Sequence, residues 1–146
     1  MARNYTVSTK IARPVAEVFN AVVAKDRLCR YFVDGTTADL GEGERVVWHW
    51  NEWGDFPVIV RRVVPNELIV LEIDSREWKK TRKESYAVRV IIEFDKLDDN
   101  STMVSISEEG WKIDPDGLKA SHDNCGGWQH MAMCLKAYIE HGIDLR

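Results

Sequence analysis

Four residues able to hold a metal or attack a carbonyl, His122, Cys125, His130 and Cys134, crowd the last quarter of this 146-residue chain. His130 and Cys134 are four apart, so a helix would present them from one side. That side lies away from the apolar stripe described below. The spacing fits no zinc pattern, and the nearby carboxylates are out of register with it. No metal site is therefore expected. Cys125 with His122 or His130 as its base would make a nucleophile, but nothing around it marks an activated thiol. Glu108 and Glu109 have the types of an acid–base pair and read as adjacent surface carboxylates at a strand end. Arg61 and Arg62 are consecutive in a strand, so alternation sends one of them inward. There it would need a carboxylate or a ligand oxygen, or it would sit at a rim and reach water along its apolar stem. The chain has no G-x-G-x-x-G, G-x-S-x-G or P-loop, and the Gly41-Glu42-Gly43 turn leads into a strand. No catalytic residue, cofactor or metal ligand is predicted.

Aromatic side chains are the stronger signal. There are six tryptophans. Trp48, Trp50 and Trp53 cluster around His49, and Trp111 and Trp128 follow. Flat apolar walls with a few placed polar groups are how small-molecule pockets are built. Trp48, Trp50, Trp111 and Trp128 are expected to line such a site, with Tyr86. Val58, Val88 and Val90 would add aliphatic surface from the strands, and Met131 and Leu135 from the helix. Asn124 projects near the inward side if the terminal helix begins early, and could give a ligand one hydrogen bond.

These residues need elements to position them. Between Gly127 and Gly142, Trp128, Met131, Ala132, Leu135, Tyr138 and Ile139 recur at three- and four-residue steps. They form one wide apolar stripe, with Gln129, Lys136 and Glu140 opposite, and such a stripe must be buried against something. The pair Gly126-Gly127 predicts a bend before it, with Leu118–Cys125 a short helix or irregular lead-in. At the other end, Asn4–Ile11 alternates as a half-buried strand. Pro14–Ala24 and Lys25–Phe32 read as two helices, Pro14 suiting a first helical position. Strands are predicted over Thr36–Leu40, Arg45–Trp50, Phe56–Val64, Glu67–Ile73, Tyr86–Leu97 and Ser101–Glu109. In the last of these Thr102, Val104 and Ile106 face inward. The run Asp74–Ser85, with Arg76, Lys79, Lys80, Arg82 and Lys83 among acids, reads as a solvated loop. Short connections pair strands antiparallel. The layout is α+β: about six to seven strands in a curved antiparallel sheet around a long C-terminal helix, with two short helices after the first strand.

The bulk numbers agree with one domain over residues 1–146. The chain is 45% hydrophobic and 30% charged, with a formal net charge of −4. That charge argues against a phosphate-dominated nucleic-acid binder. No stretch approaches the ~20 apolar residues of a membrane helix, and no signal-peptide core follows Met1, so a cytoplasmic location is expected. Cys29, Cys125 and Cys134 are odd in number and irregularly spaced, which argues against a disulfide framework.

Three stretches carry a family resemblance. Ile11-Ala12-Arg13-Pro14-Val15-Ala16-Glu17-Val18-Phe19-Asn20-Ala21 resembles a strand-end A-x-P-x-x-x-V-[FW]-x-A motif. Val63-Val64-Pro65-Asn66-Glu67-Leu68-Ile69 is similar to a V-x-P-x-x-x-L/I turn. Gly127-Trp128, followed by Leu135-Lys136-Ala137-Tyr138-Ile139-Glu140, resembles a terminal G-W…L-x-x-Y-[LI]-E. Together they resemble the SRPBCC, or START-like, helix-grip superfamily, and within it the branch related to the C-terminal domain of the heat-shock chaperone ATPase activator. These are fold motifs, so they carry architecture and little chemistry. The apolar helical stripe facing a tryptophan-rich sheet predicts a binding domain for a small hydrophobic or aromatic molecule, held between the terminal helix and the sheet. The resemblance implies two alternatives. One is a protein-interaction domain for a chaperone, docking through Asp74–Ser85. The other is a polyketide-cyclase-like enzyme using Asn124, one of Arg61 and Arg62, and His49. A homodimer through an edge strand is a further expectation.

Overall fold

A computed structural model describes residues 2–146. Its strands are β1 (Arg3–Ile11), β2 (Gly35–Thr36), β3 (Arg45–Trp50), β4 (Gly54–Val64), β5 (Leu68–Asp74), β6 (Ala87–Asp98) and β7 (Ser101–Glu109). Its helices are α1 (Val15–Val23), α2 (Lys25–Leu28) and α3 (Pro115–His141). The strands form one antiparallel sheet in the order β1-β7-β6-β5-β4-β3-β2. The predicted α+β architecture is the one observed.

Alternation builds the inner face. Val88, Val90, Ile92 and Phe94 on β6, and Thr102, Val104 and Ile106 on β7, are all buried. The stripe of α3 closes over that face, with Trp128, Met131, Ala132, Leu135 and Ile139 buried. Each element buries its apolar set against the other, which is the driving force for this layered arrangement.

Five local expectations are corrected. First, α3 is a single 27-residue helix that runs through Gly126-Gly127. Asp114 caps it by accepting from the Gly117 amide at 2.8 Å, and Pro115 sits in the first turn. Buried anchors on both sides of the glycine pair, Asn124 and Trp128, outweigh the weak helix propensity of two glycines. Second, the Thr36–Leu40 strand shrinks to Gly35–Thr36. Beyond it the Thr37 hydroxyl, in place of a backbone carbonyl, accepts from the Val47 amide at 3.0 Å. Third, the second helix stops at Leu28, and Tyr31 and Phe32 lie in the turn that follows. Fourth, a bulge between Val60 and Arg62 lets both Arg61 and Arg62 point to solvent. An extra residue in one strand breaks strict alternation. Arg61 then forms a two-pronged bond to Glu72 at 2.9 and 3.0 Å. Fifth, the Asp74–Ser85 connection is not wholly solvated. Trp78 is buried within it, and the Lys79 ammonium donates to the Trp53 carbonyl at 2.6 Å. Among the described residues no helix is long and apolar enough to cross a membrane.

Candidate functional site

The inner-face alternation of β7 does not stop at Ile106. It continues to Glu108, which has no solvent exposure. Its cross-strand neighbour on β1 is Tyr5, and on β6 Val90. A lone buried carboxylate is costly, so it must collect donors. Glu108 collects four. The Tyr5 hydroxyl and the Trp111 indole N–H (2.8 Å) donate to Oε1. The Asn124 amide (3.1 Å) and the Trp128 indole N–H (3.0 Å) donate to Oε2. Burial still dominates, and the carboxyl is held above the usual carboxylate range despite those four bonds. Burial beside this acid also pushes the Tyr5 hydroxyl far up. The surface reading of Glu108 is thereby overturned, while Glu109 lies at the strand end near Arg89.

Two of the four donors have a second environment. Asn124 and Trp128 also face an open cleft of about 580 Å³. Its walls come from five places: the middle of α3, the segment after α2, the β3–β4 hairpin, the β5–β6 connection and the C-terminal Arg146. Its aromatic walls are Tyr31, Phe32, Trp50, Trp53, Phe56, Trp78 and Trp128. Trp78 stacks on Trp128 with ring centroids 6.2 Å apart, and Phe32 and Phe56 meet Trp50 edge to face at 5.1 and 5.3 Å. Two indole N–H groups are held by backbone carbonyls: Trp50 donates to the Phe32 carbonyl at 2.6 Å and Trp78 to the Pro57 carbonyl at 2.8 Å. The lip carries charge of both signs, with Lys79, Lys80 and Arg146 against Asp34, Glu52 and Asp123.

The expected site residues divide by position. Trp50, Asn124 and Trp128 line the cleft. Trp48 lies one layer behind, fully buried, touching Phe32, Trp50, Trp78 and Trp128. Val58, Val88 and Val90 from the sheet and Met131 and Leu135 from α3 are core residues and do not line the cleft. Tyr86 and Trp111 pack on one another at 6.0 Å, beside the Glu108 cluster. Phe32, Phe56 and Trp78 are cleft walls that the sequence reading did not single out. An isolated tryptophan inside a charged run was the available signal for Trp78.

Other candidate groups fall outside or are quiet. The His49 ring is on the solvent side of β3, 2.6 Å from Asp55, and that bond raises its pKa. With Arg61 and Arg62 outside as well, Asn124 alone remains in the cleft from the trio that an enzyme reading requires. His130 and Cys134 do border the cleft, contrary to their expected placement on the far side of α3. Their atoms are 3.4 Å apart, and burial pushes the Cys134 thiol up, away from thiolate character.

A long terminal helix laid over a seven-stranded antiparallel sheet, with two short helices after the first strand, defines the helix-grip class. The family model described as "Activator of Hsp90 ATPase homolog 1-like protein" matches residues 12–140, and the chain belongs to that family. Among solved structures it is similar to a protein of Staphylococcus saprophyticus, with 23% identity, 97% of this chain and 96% of that one covered, and a TM-score of 0.74. The Aha1 dimer of Colwellia psychrerythraea is 16% identical over 97% of this chain and 98% of that one, with a TM-score of 0.78. CalU16 of Micromonospora echinospora is 16% identical over 96% of this chain and 76% of that one, with a TM-score of 0.71. At these identities the structural likenesses establish the fold. No curated protein matches the chain.

Proposed function

We propose that this protein binds a small aromatic or hydrophobic molecule in the tryptophan-walled cleft. The observation that carries the reading is the convergence of seven aromatic side chains from four separate segments on one opening of about 580 Å³. That volume falls in the range of small-molecule sites. An aromatic ring system burying ~200 Å² would gain ~5 kcal/mol at ~25 cal/mol per Å², before the costs of association. Titration with a panel of aromatic and aliphatic ligands, read by intrinsic tryptophan fluorescence and by thermal shift, tests it. Quenching and stabilisation by aromatic members are expected, and Gly127→Leu, which places a side chain on the cleft wall, should remove both. Indifference to the whole panel would refute the reading.

Family membership favours a second reading, a chaperone-type protein partner. Arg82 and Lys83 in the β5–β6 connection are exposed, and Lys80 is half-buried beside them. These cations would dock an acidic surface. Charge reversal of all three should abolish partner recovery in a pull-down, and equal recovery would count against it. Pairing of two copies through edge strand β1 belongs to the same reading and is checked by light scattering.

A further inference from the structure

Resting on the cleft reading, we infer that the cleft selects ligands bearing a hydroxyl or N–H donor, which the Asn124 carbonyl oxygen accepts at the inner wall. Asn124 is 5% exposed and lines the cleft. Among the described residues its one side-chain hydrogen bond runs from Nδ2 to Glu108 Oε2 at 3.1 Å, and Oδ1 has no partner there. The amide orientation follows from chemistry. Oε2 already receives the Trp128 indole N–H at 3.0 Å, so a flipped Asn124 would set its oxygen against an acceptor oxygen. Glu108 thus acts as a positioning residue, turning the carbonyl of Asn124 outward from the buried cluster.

The surrounding walls reinforce the selection. The indole N–H groups of Trp50, Trp78 and Trp128 and the Tyr31 hydroxyl are all engaged with acceptors of the protein itself. A ligand group that only accepts finds no free donor among these wall residues. Placed at the inner wall, it would lie against the Asn124 oxygen, setting two acceptors face to face. A donor placed there satisfies a nearly buried carbonyl, and a site built to hydrogen-bond a ligand group rejects the analogue that lacks it.

The test compares 2-naphthol, naphthalene and 2-methoxynaphthalene by isothermal titration calorimetry on the full chain. These share one ring system and differ in having a donor, no polar group, or an acceptor only. 2-Naphthol is expected to bind about tenfold more tightly than either of the others, the fold-change of one ordinary hydrogen bond. In Asn124→Ala that preference should fall to within about twofold. Equal binding of all three by the unmodified protein, or tighter binding of the methoxy compound, overturns the inference and leaves the aromatic cleft standing. Absence of binding by all three overturns both. The comparison on the unmodified protein decides the matter even if the variant fails to fold.

Discussion

Replacing Glu108 by glutamine is the sharpest probe of the buried cluster, because it keeps the shape and removes one acceptor position. The new amide nitrogen must occupy the site of either Oε1 or Oε2. At Oε1 it faces the Tyr5 hydroxyl, which can rotate and accept, and the Trp111 N–H, which cannot. At Oε2 it faces Asn124, which can flip and accept, and the Trp128 N–H, which cannot. Both arrangements leave one buried indole donor unpaired, at about 1–3 kcal/mol. For a chain of this size that is a fall in Tm of roughly 3–12 °C. The sign of the pH dependence follows from the raised pKa of Glu108. Its unfolded carboxyl titrates near the ordinary value of ~4.3. Its contribution to stability is therefore complete below that pH and is lost as pH rises through the folded pKa. Glutamine does not titrate. The deficit of Glu108→Gln should be largest in acid and shrink toward neutral pH, where the variant is relieved of burying a charge. Urea unfolding followed by circular dichroism between pH 4 and 8 reads both quantities, as a shift in midpoint at constant slope. A variant as stable as the parent at every pH would refute the four-donor cluster. A deficit that widens with pH would show that the bonds outweigh burial.

Three further predictions concern α3. Gly126→Ala should stabilise the protein by about 0.5–1 kcal/mol in chemical denaturation, since a Cβ there meets nothing within 4 Å and the helix gains propensity. Gly117→Ala should do the opposite, by about 1–3 kcal/mol, because its Cβ would fall 2.0 Å from the Lys112 carbonyl oxygen. Trp128→Ala should cost about 3–5 kcal/mol in the same assay, because it empties a buried ring position beside Trp48 and Trp78 and leaves Glu108 one donor short.

The elements and their order were legible in the chain because periodicity is a local property. Period-two alternation on β6 and β7, and the 3.6-residue stripe of Trp128, Met131, Leu135 and Ile139, are consequences of strand and helix geometry that any reader of the sequence can apply. The same rule placed Tyr5 at the head of the alternation in β1, and carried two residues beyond Ile106 it points Glu108 inward, although that acid was read as a surface carboxylate. What alternation cannot supply is the other partners of a buried acid. Trp111, Asn124 and Trp128 come from a loop and a helix that meet Glu108 only after the sheet is closed. The bulge at Arg61 and the continuous helix through Gly126-Gly127 were likewise settled by neighbours, one by strand pairing and the other by flanking anchors that override propensity. The cleft is the most tertiary feature of all. Phe32, Phe56 and Trp78 share no period and no motif with Trp50 or Trp128. Their convergence depends on where three connections end, and those positions are set by long-range packing and not by any local run of residues.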